Sequence, residues 1–229
     1  DTIYLTGTAR QQDSLFWCAY LAIIDSSGNL IGINYYYLVD DNIGAAYNSD
    51  IIKTTDGGLA MISNSFQRAN PILIKTDRQG KLEFMQEYDV SEKPAPAVHD
   101  ILIETPNGYM LGGSLNQGNN LLDISVVYVN KKGELMWKKT YGEKDWSENG
   151  TSAYLMAENL IMIAGGSGYP DPKGKDNQTR SNVIFIDSLG SIVKVWKSEV
   201  IDTFNKLGGG WIEFEPISAG FLSINIRPK

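Results

Sequence analysis

The chain has 229 residues, a net charge of −7 and an isoelectric point of about 4.8. A hydrophobic content of 42% and a charged content of 21% are typical of a globular protein and exclude bulk disorder. A single His and a single Cys exclude an internal disulfide, a Cys/His zinc site and a two-histidine iron site. The acidic charge and scattered lysines argue against nucleic-acid binding, because phosphate contacts need clustered Lys and Arg.

The main signal in the sequence is a hairpin motif that recurs four times. In each copy a short apolar run leads into a polar turn, with Asp or Asn three residues before a glycine and Leu or Ile two residues after it. The glycines are Gly28, Gly80, Gly133 and Gly190, spaced 52, 53 and 57 residues apart. The Asp or Asn side chain can cap the turn while the glycine takes a positive φ, so each copy predicts a β-hairpin.

An aromatic residue accompanies each hairpin. A tyrosine stands eight residues after the first three glycines, as Tyr36, Tyr88 and Tyr141. The fourth copy has Ser198 at that place and an aromatic residue two positions earlier, at Trp196. Recurrence at equivalent positions favours packing in the core or between repeats over ligand stacking.

A second motif, a strand followed by a tight turn and another strand, lies between the hairpins. Clear copies run over 50–62 and 100–114, and degenerate copies over 151–167 and 211–224. No apolar pattern of helical period is present. Each period of roughly 50 residues therefore supplies four short antiparallel strands, which is the description of a β-propeller blade. A β-sandwich and a β-solenoid are the alternatives.

The repeat predicts one all-β propeller domain over residues 1–229, with about 4–5 blades. The predicted segments are a partial blade at 1–45, full blades at 46–97, 98–147 and 148–205, and a partial blade at 206–229. The second strand of a blade is present at both ends of the chain, so simple ring closure leaves one strand spare. A piece of a larger ring is the more natural interpretation.

The repeats resemble those of secreted and surface proteins of Bacteroidetes-type bacteria. Asp56-Gly57-Gly58, Lys75-Thr76-Asp77, Gly80 and the segment 135–142 carry the resemblance. It implies export, as an outer-membrane lipoprotein or secreted protein, and a binding surface with neighbouring domains in a longer chain. No transmembrane segment is expected, because the longest apolar run, Trp17 to Ile24, is far too short to cross a bilayer.

Three residues are candidates for acid–base chemistry at a channel mouth. Asp50 and Asp100 occupy equivalent positions in successive blades, and His99 stands beside Asp100. Paired carboxylates can serve a hydrolase or lyase. Turn capping is the simpler interpretation of both acids, and no Gly-x-Ser-x-Gly elbow accompanies the histidine. The sequence predicts no catalytic residue beyond these candidates, no metal site and no cofactor.

A long polar insertion over 168–181 predicts a binding surface, because insertions on propellers often build the binding face. Its candidate residues are Tyr169, Asp171, Asp176, Asn177 and Arg180. A second aromatic–acidic loop, at 145–149, is expected to be exposed and to add Trp146.

These features predict an exported binding or scaffold module that recognises a glycan, peptide or protein partner through loops on one face. A glycan-active hydrolase or lyase and a structural spacer domain are the alternatives.

Overall fold

The computed structural model describes residues 2–10, 17–37, 45–65, 70–90, 97–116, 121–169, 178–199, 201–202, 211–216 and 222–227. Every regular element within these segments is a β-strand. Accordingly, none of them forms a helix with the length and hydropathy of a membrane span.

The strands follow the order of the repeats. They are β1 (Thr2–Arg10), β2 (Trp17–Asp25), β3 (Leu30–Tyr36), β4 (Ala45–Lys53), β5 (Leu59–Ser65), β6 (Pro71–Thr76), β7 (Leu82–Glu87), β8 (Ala97–Thr105), β9 (Gly108–Asn116), β10 (Leu122–Asn130), β11 (Leu135–Tyr141), β12 (Ser147–Ala157), β13 (Leu160–Tyr169), β14 (Gln178–Asp187), β15 (Ile192–Lys197), β16 (Ile201–Asp202), β17 (Trp211–Pro216) and β18 (Leu222–Arg227).

The sheets are antiparallel and are built from strands that follow one another in the chain. β4–β7, β8–β11 and β12–β15 each form a four-stranded sheet in sequence order, β1–β3 form a three-stranded sheet, and β17 pairs with β18. The short β16 pairs with β14 beside the last complete sheet. The prediction of an all-β protein built of antiparallel propeller blades is confirmed, with about four blades, three of four strands and one of three.

The chain divides into two compact units. The first comprises residues 1–111 and 127–138, and the second comprises residues 112–126 and 139–229.

The first unit has a core in which the middle strands of the sheets are buried on both faces. Leu59 and Met61 of β5 belong to a cluster with residues of β2 and β6. Their neighbours Ala60 and Ile62 point to the opposite face and belong to a second cluster, with residues of β8, β9 and β10. Successive residues of β5 point to opposite faces of the sheet, and both faces are buried. The strand is therefore apolar at consecutive positions rather than at every second one. Cys18 is buried as expected.

The second unit has a smaller apolar cluster. Met162, Ala164 and Val183 are its buried members, and Tyr154 and Phe185 pack against them.

The four hairpin turns that contain Gly28, Gly80, Gly133 and Gly190 share one geometry. In the first, the Asp25 carboxylate accepts hydrogen bonds from the backbone N–H groups of Ser27 and Asn29 at 2.9 and 2.8 Å. Gly28 takes a φ of +86°. Asp77, Asn130 and Asp187 cap the other three turns in the same way. The predicted turn chemistry is confirmed in every copy, which also gives these acidic and amide side chains a structural role.

The recurring tyrosines join successive repeats. The hydroxyl groups of Tyr36, Tyr88 and Tyr141 donate to the backbone carbonyls of Gly80, Gly133 and Gly190 over 2.7, 2.8 and 2.8 Å. Each acceptor is the turn glycine of the following repeat. The tyrosines are buried, and burial raises the pKa of all three phenols, so they stay protonated and able to donate. The expectation that they pack between repeats is confirmed.

Candidate functional site

One end of the β12–β15 sheet gathers polar and aromatic side chains within the second unit. Because neighbouring strands are antiparallel, the start of β12, the end of β13, the start of β14 and the end of β15 meet there. Glu148 lies opposite Ser167, which in turn lies opposite Arg180. Asn182 lies opposite Lys197 at the next position along the same face.

Two aromatic rings meet at this end of the sheet. Trp146, just before β12, and Tyr169, the last residue of β13, have ring centroids 5.7 Å apart with planes tilted by 58°. The guanidinium carbon of Arg180 lies 3.8 Å from the centroid of the Trp146 ring, which is a cation–π contact. All three side chains are half-buried, so part of this aromatic surface faces solvent.

An ion-pair network fixes the arginine in place. Arg180 and Lys197 both pair with the carboxylate of Glu143, whose side chain is 47% exposed. Hydrogen bonds from Lys197 and then Arg180 lower the pKa of Glu143, which therefore stays ionised. We call the group Glu143, Trp146, Glu148, Tyr169, Arg180 and Lys197 the Trp146 cluster.

Several polar atoms in and beside the cluster are buried without a hydrogen-bond partner. Both carboxylate oxygens of Glu148 are among them, as are Arg180 Nε and Asn182 Oδ1. Glu148 and Asn182 are 2% and 1% exposed. The Asn182 side-chain amide N–H donates to Ser167 Oγ at 2.6 Å. The side-chain oxygen of Asn182 accepts no hydrogen bond. Unpaired buried polar atoms are uncommon in folded proteins and mark places that need explanation.

Carboxyl groups outnumber cations at this end of the sheet. Burial raises the pKa of the Glu148 carboxyl, the nearby Asp123 and Glu143 charges raise it further, and the Glu143 backbone N–H and Lys197 offset the shift in part. The pKa of Asp123, whose carboxylate packs against Gly142, is also raised by burial. Three carboxylates thus face two cations.

The structure brings together three of the six predicted binding residues. Trp146, Tyr169 and Arg180 meet, although they are up to 34 residues apart in the chain. Asp171, Asp176 and Asn177 lie outside the described residues. Within the segment 145–149, the expectation of an exposed loop is wrong for Glu148, because β12 begins at Ser147 and its second residue is buried.

The candidate acid–base residues lie in the first unit. Asp50 on β4 and Asp100 on β8 belong to strands that pack against each other. Asp50 accepts a hydrogen bond from the Ile51 backbone N–H at 2.7 Å, which is a local capping role. Burial, and then the Asp50 charge, raise the pKa of Asp100 to about 6, and burial raises that of Asp50.

His99 is an interior residue rather than a group at a channel mouth. It is 0% exposed, and burial lowers the pKa of its imidazole to about 4. Its backbone N–H donates to Asn64 Oδ1, and its carbonyl accepts from Asn64 Nδ2 and Ser49 Oγ, each at 2.9 Å. The residue therefore anchors β8 to the neighbouring sheet. Among the described residues, no group of three His, Cys, Asp or Glu side chains is placed to hold a metal ion.

A shallow groove of about 510 Å³ lies elsewhere in the first unit, between β7 and the turn that joins β10 to β11. Lys138 crosses it to reach the Asp89 carbonyl at 2.9 Å. None of the buried unpaired polar atoms belongs to its lining.

No protein-family model matches the chain. No curated protein matches it. Among solved structures, the chain is similar to the WD40 domain of SCAP from fission yeast, with 8% identity over 97% of this chain and 75% of that chain and a TM-score of 0.34.

The fold class rests on the chain's own sheets. Repeated four-stranded antiparallel blades, joined in sequence order by tight turns and linked by tyrosines, define an all-β protein of the propeller type. The Trp146 cluster gives one of these blades an aromatic and charged end.

Proposed function

We propose that this protein is a binding module that recognises a glycan, peptide or protein partner through the Trp146 cluster. The observation that carries the proposal is the meeting of Trp146, Tyr169 and Arg180 at one end of the β12–β15 sheet. Tyr, Trp and Arg are the residue types that dominate binding energy at protein interfaces, because they combine large apolar area with hydrogen-bonding groups.

Contacts within the cluster hold the Arg180 side chain in one position. Arg180 is held from one side by the Trp146 ring and from another by Glu143, so its guanidinium has little freedom left to lose on binding. Side chains whose positions are fixed before binding avoid part of the entropy cost of association. A structural spacer domain would not need such a cluster.

We also propose that the module is exported, as an outer-membrane lipoprotein or secreted protein. The resemblance of the segment 135–142 and of the Asp56-Gly57-Gly58 turn to repeats of bacterial surface proteins supports this location. Membership of that repeat family is part of the same proposal.

A glycan-active enzyme is the second candidate, and one observation favours it. Asp100 has a pKa raised to about 6 beside Asp50, so its carboxyl holds a proton at a higher pH than an ordinary aspartate does. Activity on glycan substrates that is lost in both Asp100→Asn and Asp50→Asn would favour the enzyme over the binding module.

The test is a pair of arrays, one of glycans and one of peptides, probed with the wild-type chain and two variants. Trp146→Ala removes the centre of the cluster, and Trp196→Ala removes a surface-exposed tryptophan of β15 outside it. We expect ligands that bind the wild type and Trp196→Ala and bind Trp146→Ala at least tenfold more weakly. Absence of any bound ligand, or binding that Trp146→Ala leaves intact, would contradict the proposal.

A further inference from the structure

We propose that the Trp146 cluster accepts a positively charged side chain, a lysine or arginine of a basic peptide segment, with Glu148 and Asp123 as its acceptors. This inference rests on the proposed function and specifies the ligand.

The Glu148 carboxylate is the central acceptor of the proposed site. It is closed to solvent, and neither oxygen has a hydrogen-bond partner of normal geometry. The Glu143 backbone N–H approaches it and favours the charged form only in part. A buried carboxylate without donors must either hold a proton or receive a cation, since an unpaired buried charge is strongly disfavoured.

The cations already present form their ion pairs with a different acid, although the Lys197 charge partly offsets the raised pKa of Glu148. Arg180 and Lys197 both pair with Glu143, the exposed acid at the surface of the cluster. Asp123 has no hydrogen-bond donor from the described residues and lies close enough to raise the pKa of Glu148. Glu148 in the cluster and the neighbouring, partly exposed Asp123 are therefore two carboxylates that form no ion pair with a cation of the described residues.

The side-chain oxygens of Glu148 and Asn182 that lack hydrogen-bond donors indicate a ligand that donates hydrogen bonds. Glu148 offers two acceptor oxygens, and Asn182 offers a third on the same face of the sheet. An ammonium or guanidinium group supplies several donors together with the compensating charge. A neutral sugar hydroxyl donates a single hydrogen bond and leaves the carboxylate charge in place. The net charge of −7 also draws basic partners toward the protein.

The aromatic rings suit the same ligand. The Arg180 guanidinium already forms a cation–π contact with the Trp146 ring, and the Tyr169 ring lies beside it. The apolar stem of a lysine or arginine can pack along these rings while its charged end reaches the acids.

Entry requires the segment 142–146 to move. This segment carries Glu143, whose backbone N–H lies near the Glu148 carboxylate, and it ends at Trp146. Asp145 within it has a φ of +69°, a conformation disfavoured for a residue other than glycine. A ligand cation that pairs with Glu148 would replace the contact that the Glu143 backbone makes in this structure.

The test uses three probes on the full chain: the N-acetyl methylamides of lysine, arginine and norleucine, at equal ionic strength. Binding is followed by the NMR signal of the Trp146 indole N–H, assigned with Trp146→Phe. Glu148→Gln removes the charge and keeps the shape, and Glu158→Gln is the matched control at the exposed turn of the same hairpin. Urea unfolding of both variants verifies that they fold.

We expect the lysine and arginine probes to shift the Trp146 signal saturably, and norleucine to leave it unchanged. Glu148→Gln should bind at least tenfold more weakly, and Glu158→Gln should match the wild type. Binding should also weaken as pH falls and protonates Glu148, whose charged neighbours are Asp123, Glu143 and Lys197. Equal binding by Glu148→Gln, or equal binding of norleucine, would overturn the inference.

The two proposals fail differently. Trp146-dependent binding of neutral glycans on the array, with no response to lysine or arginine, would leave the binding module in place and overturn the cationic ligand. Loss of both signals would overturn both.

Discussion

Tyr36 donates its phenolic hydrogen to the backbone carbonyl of Gly80, the turn glycine of the next repeat, over 2.7 Å. The two residues are 44 positions apart, and the bond is buried. Since Tyr88 and Tyr141 repeat the bond, each turn glycine that receives one is fixed both by its own hairpin and by the preceding repeat. This explains why tyrosine recurs eight residues after the glycine: the position serves the neighbouring repeat.

Removing one of these hydroxyl groups should weaken the protein measurably. Tyr88→Phe keeps the ring and leaves the buried Gly133 carbonyl without its donor, so we expect a loss of about 1–2 kcal/mol in the free energy of unfolding. Tyr35→Phe is the control, because Tyr35 is exposed and should change stability by less than about 0.5 kcal/mol. Urea unfolding measures both, and equal values for the two variants would contradict the structural role of the bond.

The turn glycines should differ in their tolerance of alanine. Gly28 and Gly133 have φ values of +86° and +81°, so alanine strains both backbones by about 1 kcal/mol. A Cβ atom at Gly28 would meet nothing within 4 Å, whereas one at Gly133 would lie 2.6 Å from the Phe84 ring. Gly133→Ala should therefore cost at least about 1 kcal/mol more than Gly28→Ala. Similar midpoints of thermal unfolding for the two variants would refute the close approach of Phe84.

Acid should destabilise the fold partly through His99. Burial lowers the pKa of its imidazole from 6.5 to about 4, so the folded protein resists a proton that the unfolded chain accepts. The stability that neutral His99 supplies is complete above pH 6.5 and is lost as pH falls toward 4, by about 3 kcal/mol. His99→Gln should show a shallower loss of stability between pH 7 and pH 4.5. An unchanged slope would show that the imidazole is solvated.

Asp100 should affect the free energy of unfolding with the opposite dependence on pH. Its carboxyl pKa is raised from 3.8 to about 6, so the stabilising protonated form is present at low pH and is lost as pH rises through 6. Asp100→Asn should therefore match the wild type near pH 4 and exceed its stability at pH 7. Asp50→Asn should move the transition to lower pH, because the Asp50 charge contributes to the shift. A stability difference that does not vary with pH would contradict the coupling.

The strands and turns were predictable because they depend on local chemistry. An Asp or Asn three residues before a glycine fixes a hairpin by bonds within five residues, as Asp77 and Gly80 show. The acceptor of each tyrosine was not predictable, because it lies in another repeat. Burial of Lys75 also escaped sequence reasoning: its ammonium group reaches Asp56 and Glu83 at 3.0 Å, and only the fold places these acids beside it.

The candidate site was predictable in part for the same reason. Aromatic and charged residues near an insertion marked Trp146, Tyr169 and Arg180. No local signal marked Glu148, which follows a polar loop and becomes buried only because β12 pairs with β13 there. Lys197, at the end of a strand in a different hairpin, likewise joins the cluster through sheet register alone.

The most direct test of the binding module is the NMR response of its tryptophans to the tightest ligand from the arrays. We expect a saturable shift of the Trp146 indole signal and no shift of Trp137, which is stacked on Tyr128 outside the Trp146 cluster. Shifts at Trp137 with an unaffected Trp146 would contradict the assignment of the binding surface.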